Sequence, residues 1–82
     1  MDYEMEIKDE ALAALRDLPD DVRRQIGYRL HLLQHDFRGD LKKLKGSKNE
    51  YRLRVGTYRI LFELEGKRIV VYTIGPRKDI YQ

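Results

Sequence analysis

The chain contains no cysteine. Neither a disulfide framework nor a thiolate metal site is therefore available to it, and the absence accords with a reducing compartment. No apolar run approaches the ~20 residues of a membrane-spanning helix. The first ten residues, MDYEMEIKDE, are too acidic for a secretory leader, whose start is basic. Prolines number only two, Pro19 and Pro76, and each falls where an apolar pattern stops. These absences lead us to expect a soluble, cytoplasmic protein, complete as it stands, with no membrane association. At 82 residues it is expected to form one domain over 1–82, near the lower size at which a chain buries an adequate core unaided.

Charge, by contrast, is abundant and unevenly placed. Seventeen basic against fourteen acidic residues give a net +3. The acids gather early, from Asp2 to Asp21, and the bases later, from Arg38 through Lys48 and on to Arg77 and Lys78. This asymmetry implies one positive surface, suited to nucleic acid or to an acidic protein partner. Charge alone does not choose between them.

Read in order, Tyr3, Met5 and Ile7 alternate with acids and predict a short first strand. Asp9 is the expected cap of a first helix whose apolar side is Leu12, Leu15 and Leu18, and Pro19 stops it. Asp20 is the expected cap of a second helix with Val22, Ile26, Leu30, Leu33 and Phe37 on one face. The short link makes the two an antiparallel pair. His31 and His35 have a metal-ligand spacing, but no third ligand matches it, so they read as surface residues. Gly39 is the expected C-terminal cap. LKKLKGSKN then reads as a loop that docks Leu41 and Leu44. It leaves Lys42, Lys43, Lys45 and Lys48 in water, either as plain solvation or as a phosphate-contacting rim.

The densest pattern is Tyr51 to Phe62, YRLRVGTYRILF. Both halves alternate with period two around Gly56-Thr57, which predicts a tight hairpin with glycine first in a type II′ turn. That register puts Arg54 directly opposite Arg59, with Arg52 two residues along the same face. Like charges so placed oppose folding. The arrangement reads as a solvated face or, in preference, as a phosphate clamp, because the guanidinium fork matches phosphate oxygens. A second turn at Glu65-Gly66-Lys67 leads into a last strand, Arg68 to Ile74. Ile69, Val71 and Thr73 are expected on the helix-covered face, and Val70, Tyr72 and Ile74 opposite, beside the arginines. So mixed a face is expected to meet a partner segment, bases or the C-terminal tail.

The KKLKG approach, YRLRVGTYRILF and the closing IGPRKDIY together resemble the RelE branch of the RelE/ParE toxin superfamily, across essentially the whole chain. The resemblance implies an α+β fold: a small antiparallel sheet in the order β-α-α-β-β-β, with two N-terminal helices packed on one face. It implies the toxin of a toxin–antitoxin pair, which cuts messenger RNA in the ribosomal A site and is masked by an antitoxin. By position, Arg59 matches the arginine that contacts the scissile phosphate and Arg77 the one assigned to the leaving group. Tyr81 matches the tyrosine that stacks on or positions the nucleotide. Lys78 is counted with the rim lysines as an RNA or ribosome contact. Arg52 and Arg54 replace family lysines, one of them a proposed general base. A guanidinium, with a pKa above ~12, stabilises charge rather than accepting a proton. The base is then Tyr81, a lysine such as Lys43 or Lys45, or no specific group. Neither a metal nor a small-molecule cofactor is expected. A non-catalytic ParE-like toxin that binds DNA gyrase, or an inactive toxin-derived binding module, are the rival readings.

Overall fold

The computed structural model describes residues 2–76, so Arg77, Lys78 and Tyr81 lie outside the described residues. The elements run β1 (Glu4–Ile7), α1 (Asp9–Arg16), α2 (Asp20–Asp36), β2 (Asp40–Lys43), β3 (Glu50–Val55), β4 (Tyr58–Glu65) and β5 (Arg68–Pro76). They form one five-stranded sheet in the order β1-β5-β4-β3-β2, with α1 packed on β5 and α2 on β3. The α+β arrangement is the expected one, with two differences in the sheet. First, DLKK is a strand: β2 pairs antiparallel with β3, Leu41 opposite Leu53 and Lys42 opposite Arg52. Four residues with a single apolar side chain carry almost no pattern of their own, and β3 supplies the order. Second, β1 pairs with β5 in parallel, Glu4 with Arg68 through Ile7 with Val71, so the sheet is mixed.

The helices start one residue earlier than their expected caps. Lys8 and Pro19 occupy the cap positions, without side-chain capping bonds, and Asp9 and Asp20 lie in the first turns. There a carboxylate still favours the positive end of the helix. In α1 the buried residue is Ala11, flanked by Ala14, Leu15 and Leu18. Leu12 is not part of this core stripe. Helix α2 ends at Asp36, and Phe37 rather than Gly39 takes the left-handed cap, with φ 53° and its N–H donating to Leu33 O at 2.9 Å. That conformation is costly for a bulky residue. Packing offsets the cost: the Phe37 ring meets Tyr3 at 5.3 Å, Tyr51 at 5.6 Å and Phe62 at 6.0 Å between centroids.

The core lies between helices and sheet, where Ile26 and Leu33 meet Leu53, Ile60, Phe62, Ile69 and Val71, all fully buried. One irregularity decides the far end of β5. Leu61 pairs with Thr73 but Phe62 pairs with Val71, so Tyr72 is an extra residue, a β-bulge. The bulge reverses the side-chain alternation beyond it. Ile74, expected on the outer face, pairs with Ile60 and joins the core, while Thr73, expected inside, stands with Leu61 on the outer face.

Candidate phosphate-binding face

The β3–β4 hairpin has the predicted register: Val55 pairs with Tyr58 and Arg54 with Arg59, around a turn in which Gly56 has φ 60°. Alternation then carries Arg52, Arg54 and Arg59 to the sheet face away from the helices. β2, at the sheet edge, adds its lysines. Arg52, Arg54, Arg59, Lys42, Lys43 and Lys45 line one cleft of about 390 Å³, with Leu44 as its apolar wall. Lys48 is exposed in the β2–β3 connection and is not among the residues lining the cleft.

The three arginines are not equivalent. Arg59 is 4% exposed, rare for a charged side chain. Its Nη1 donates to Tyr58 O at 3.1 Å and, at 3.4 Å, to Gly56 O, so the turn itself holds the guanidinium. Its Nε, and that of Arg52, are buried and have no partner among the described residues. Buried donors are nearly always paired in folded proteins, so two orphaned guanidinium donors beside one basic cleft set this face apart from an ordinary solvated one. Arg54 is half exposed, and its Nε lies 3.0 Å from Asp40 Oδ2. Arg52 Nη2 lies 3.5 Å from the other oxygen of that carboxylate. Asp40 was not among the expected site residues. Its signal is positional: once DLKK is read as a strand paired to YRLR, Asp40 falls opposite Arg54.

The outer face changes character along the strands. Beyond Leu61 come Glu63, Glu50 and Tyr72, whose hydroxyl donates to Glu50 Oε1 at 2.7 Å. Burial, and then the bond and charge of Glu50, push the Tyr72 phenol well above its ordinary value. It therefore stays a protonated donor at neutral pH and does not act as a base. Further along, Lys8 and Glu6 pair at 3.0 Å. The Lys8 bond and charge hold the Glu6 carboxyl below the usual range, and Glu6 holds the Lys8 ammonium above it.

His31 and His35 lie with ring centroids 4.3 Å apart on α2, and His35 Nδ1 is 2.8 Å from Asp2 Oδ1. Among the described residues, no three His, Cys, Asp or Glu side chains are grouped to hold a metal ion. No helix among them is long and apolar enough to cross a membrane. The arrangement as a whole can grip a phosphodiester from three guanidiniums and stabilise negative charge that develops on it.

Comparison with known proteins finds relatives over most of the chain. The family model for the ParE toxin of type II toxin-antitoxin systems, parDE, matches residues 5–81. Toxin RelE3 of Methanocaldococcus jannaschii is 38% identical over 72 residues, which are 82% of this chain and 82% of that protein. A chain of the crystal structure of the RelB-RelE antitoxin-toxin complex from Methanococcus jannaschii superposes with a TM-score of 0.80 at 31% identity. The match covers 93% of this chain and 94% of that one. A chain of the archaeal RelE-RelB complex from Pyrococcus horikoshii OT3 gives 0.79 at 27% identity, covering 94% and 97%.

Proposed function

This chain belongs to the RelE/ParE toxin superfamily of type II toxin–antitoxin systems, and on that premise we propose that it is a ribosome-dependent endoribonuclease. In this reading the whole chain, 1–82, acts as one cytoplasmic toxin domain. It enters the ribosomal A site and cuts messenger RNA there, halting translation. A cognate antitoxin, with an acidic amphipathic segment, covers the basic face and keeps the toxin silent.

The chemistry is attack by a ribose 2′-oxygen on the adjacent phosphorus. The P–O5′ bond breaks, leaving a 2′,3′-cyclic phosphate and a 5′-hydroxyl. The proton leaves the 2′-hydroxyl and another reaches the departing 5′-oxygen. Arg59 contacts the phosphate undergoing attack, and Arg54 and Arg52 stabilise charge building on its oxygens. Preorganised donors of this kind are worth about 10²–10³ each in rate. Arg77 serves the leaving oxygen and Tyr81 positions the nucleotide. Lys43 or Lys45, in the same cleft, or Tyr81 takes the attacking proton. Lys42, Lys48 and Lys78 contact RNA or the ribosome. Neither a metal nor a cofactor enters the scheme.

One observation carries the reading: Arg59 is buried in a basic cleft with a guanidinium donor left unpaired, in a chain that belongs to a toxin superfamily. No strong acid–base pair accompanies it on the described face. The ribosome would then orient the substrate, a contribution that can be as large as the chemistry itself. Purified protein should cut messenger RNA far faster in ribosomes with an empty A site than free in solution. Equal rates would refute the ribosome's role. No cleavage in either case, together with inhibition of gyrase supercoiling, would replace the nuclease with a ParE-like activity.

A further inference from the structure

Asp40 is the one carboxylate, among the described residues, within ion-pair distance of Arg52 or Arg54. An acid on an anion-binding face opposes the ligand, so its placement calls for a cause. It is not a chance of a flexible loop. Asp40 is the first residue of β2 and stands in register with Arg54. The residue before it, Gly39, has φ +142°, and a side chain there would meet Leu53 Cδ1 at 2.7 Å. The chain passes this close to the core only because residue 39 is glycine, and the close passage sets Asp40 against the arginines.

We propose that Asp40 is a positioning residue: it holds Arg52 and Arg54 as a fixed counterion and limits how many phosphates the face can clamp. The inference rests on the phosphate-binding reading above. Asp40 engages Nε of Arg54, one edge of the guanidinium, and reaches only one terminal nitrogen of Arg52. Both arginines are thereby tethered from the β2 side, Arg54 half exposed and Arg52 more deeply set. Arg59 has no ion-pair partner among the described residues and is held instead by the carbonyls of its own turn. The face thus contains one guanidinium free of any counter-charge and two that share one.

The test separates charge from fold and binding from cleavage. Binding of a short single-stranded DNA, which lacks the attacking hydroxyl and is not cut, is measured against salt for the parent protein, Asp40→Asn and Asp40→Glu. Asp40→Asn should bind more tightly at low salt, and its log K against log salt plot should steepen by roughly 0.7, one further phosphate engaged. In the ribosome assay its kcat should fall by about tenfold or more, because a loosened arginine holds the phosphate less well, while KM stays level or falls. Asp40→Glu should restore the parental salt slope and only part of kcat. An unchanged slope with unchanged kcat would overturn the inference. So would losses of binding and cleavage that merely follow the unfolded fraction seen in melting curves. A parent protein that binds no oligonucleotide at any salt would overturn the phosphate-binding reading and this inference together. A steeper slope for Asp40→Asn in a protein that never cuts RNA would sustain the counterion role and remove the nuclease.

Discussion

Replacing Arg59 with methionine separates what that residue does for folding from what it does for an anion. Methionine keeps an unbranched stem of similar length in a site that is 4% exposed, so packing is largely preserved. Three electrostatic effects then compete. The buried, unpartnered Nε disappears, which relieves about 1–3 kcal/mol. Repulsion from Arg54 directly across the hairpin disappears, worth ~0.2–1 kcal/mol. Against these stands the lost bond to Tyr58 O at 3.1 Å, about 1.5–3 kcal/mol for a charged donor. The Gly56 contact at 3.4 Å is too long to add much. Taken together these run from a loss of about 1.8 to a gain of about 2.5 kcal/mol, and their midpoints nearly cancel, so the melting temperature should move by only about a few degrees for a domain of this size. Cleavage in the ribosome should meanwhile fall roughly 10²-fold or more, about 2.7 kcal/mol of transition-state stabilisation. Arg59→Lys should recover only part of it, because an ammonium keeps the charge and loses the fork. Melting curves and cleavage rates on the same preparations decide the matter. A drop of more than about 4 °C, with the folded fraction cutting at the parental rate, would refute the clamp and make Arg59 a structural residue.

Further outcomes follow from the backbone and from the outer face. Gly56→Ala meets no atom within 4 Å and pays only for its positive φ, so it should cost about 1–2 kcal/mol in a urea titration. Gly39→Ala adds a 2.7 Å clash with the fully buried Leu53 and should cost more, about 2–4 kcal/mol; equal costs would mean that the close passage at residue 39 is not tight. Tyr72 has a folded pKa raised above its ordinary 10.0. The folded state therefore retains a proton that the unfolded chain loses above that pH, and stability conferred below it declines as pH rises. Tyr72→Phe should flatten this alkaline decline in a series of melting temperatures, and an identical decline in both proteins would show that the phenol is not its source.

What the sequence made legible was local. The Gly56-Thr57 spacing and strict alternation left one register for the hairpin, so the Arg54–Arg59 juxtaposition could be read in advance; a one-residue slip would have turned Leu53 and Ile60 to water. What escaped was non-local or small. The bulge at Tyr72 has no signature in RIVVYTI, yet it exchanges the faces of Thr73 and Ile74. β2 exists only because β3 lies beside it, and with β2 came the role of Asp40. Ala11 outranks Leu12 as a core residue because a small side chain lets α1 approach β5, which a count of large apolar residues does not see. The burial of Arg59 was equally invisible, since arginine is ordinarily a surface residue. Arg77, Lys78 and Tyr81 rest on family resemblance alone.

The parallel seam between β1 and β5 sets a timetable for the newborn polypeptide. Glu4 finds Arg68, and Lys8 donates its amide hydrogen to Val71 O, only once β5 has been made, after all the other strands and both helices. Helix α1 packs on that same late strand. A chain whose β5 is still inside the ribosomal exit tunnel therefore has its first strand and first helix synthesised but without their partners. The hairpin with its arginines, whose pairings are close in sequence, can form earlier. Contacts so distant along the chain slow the final step of folding.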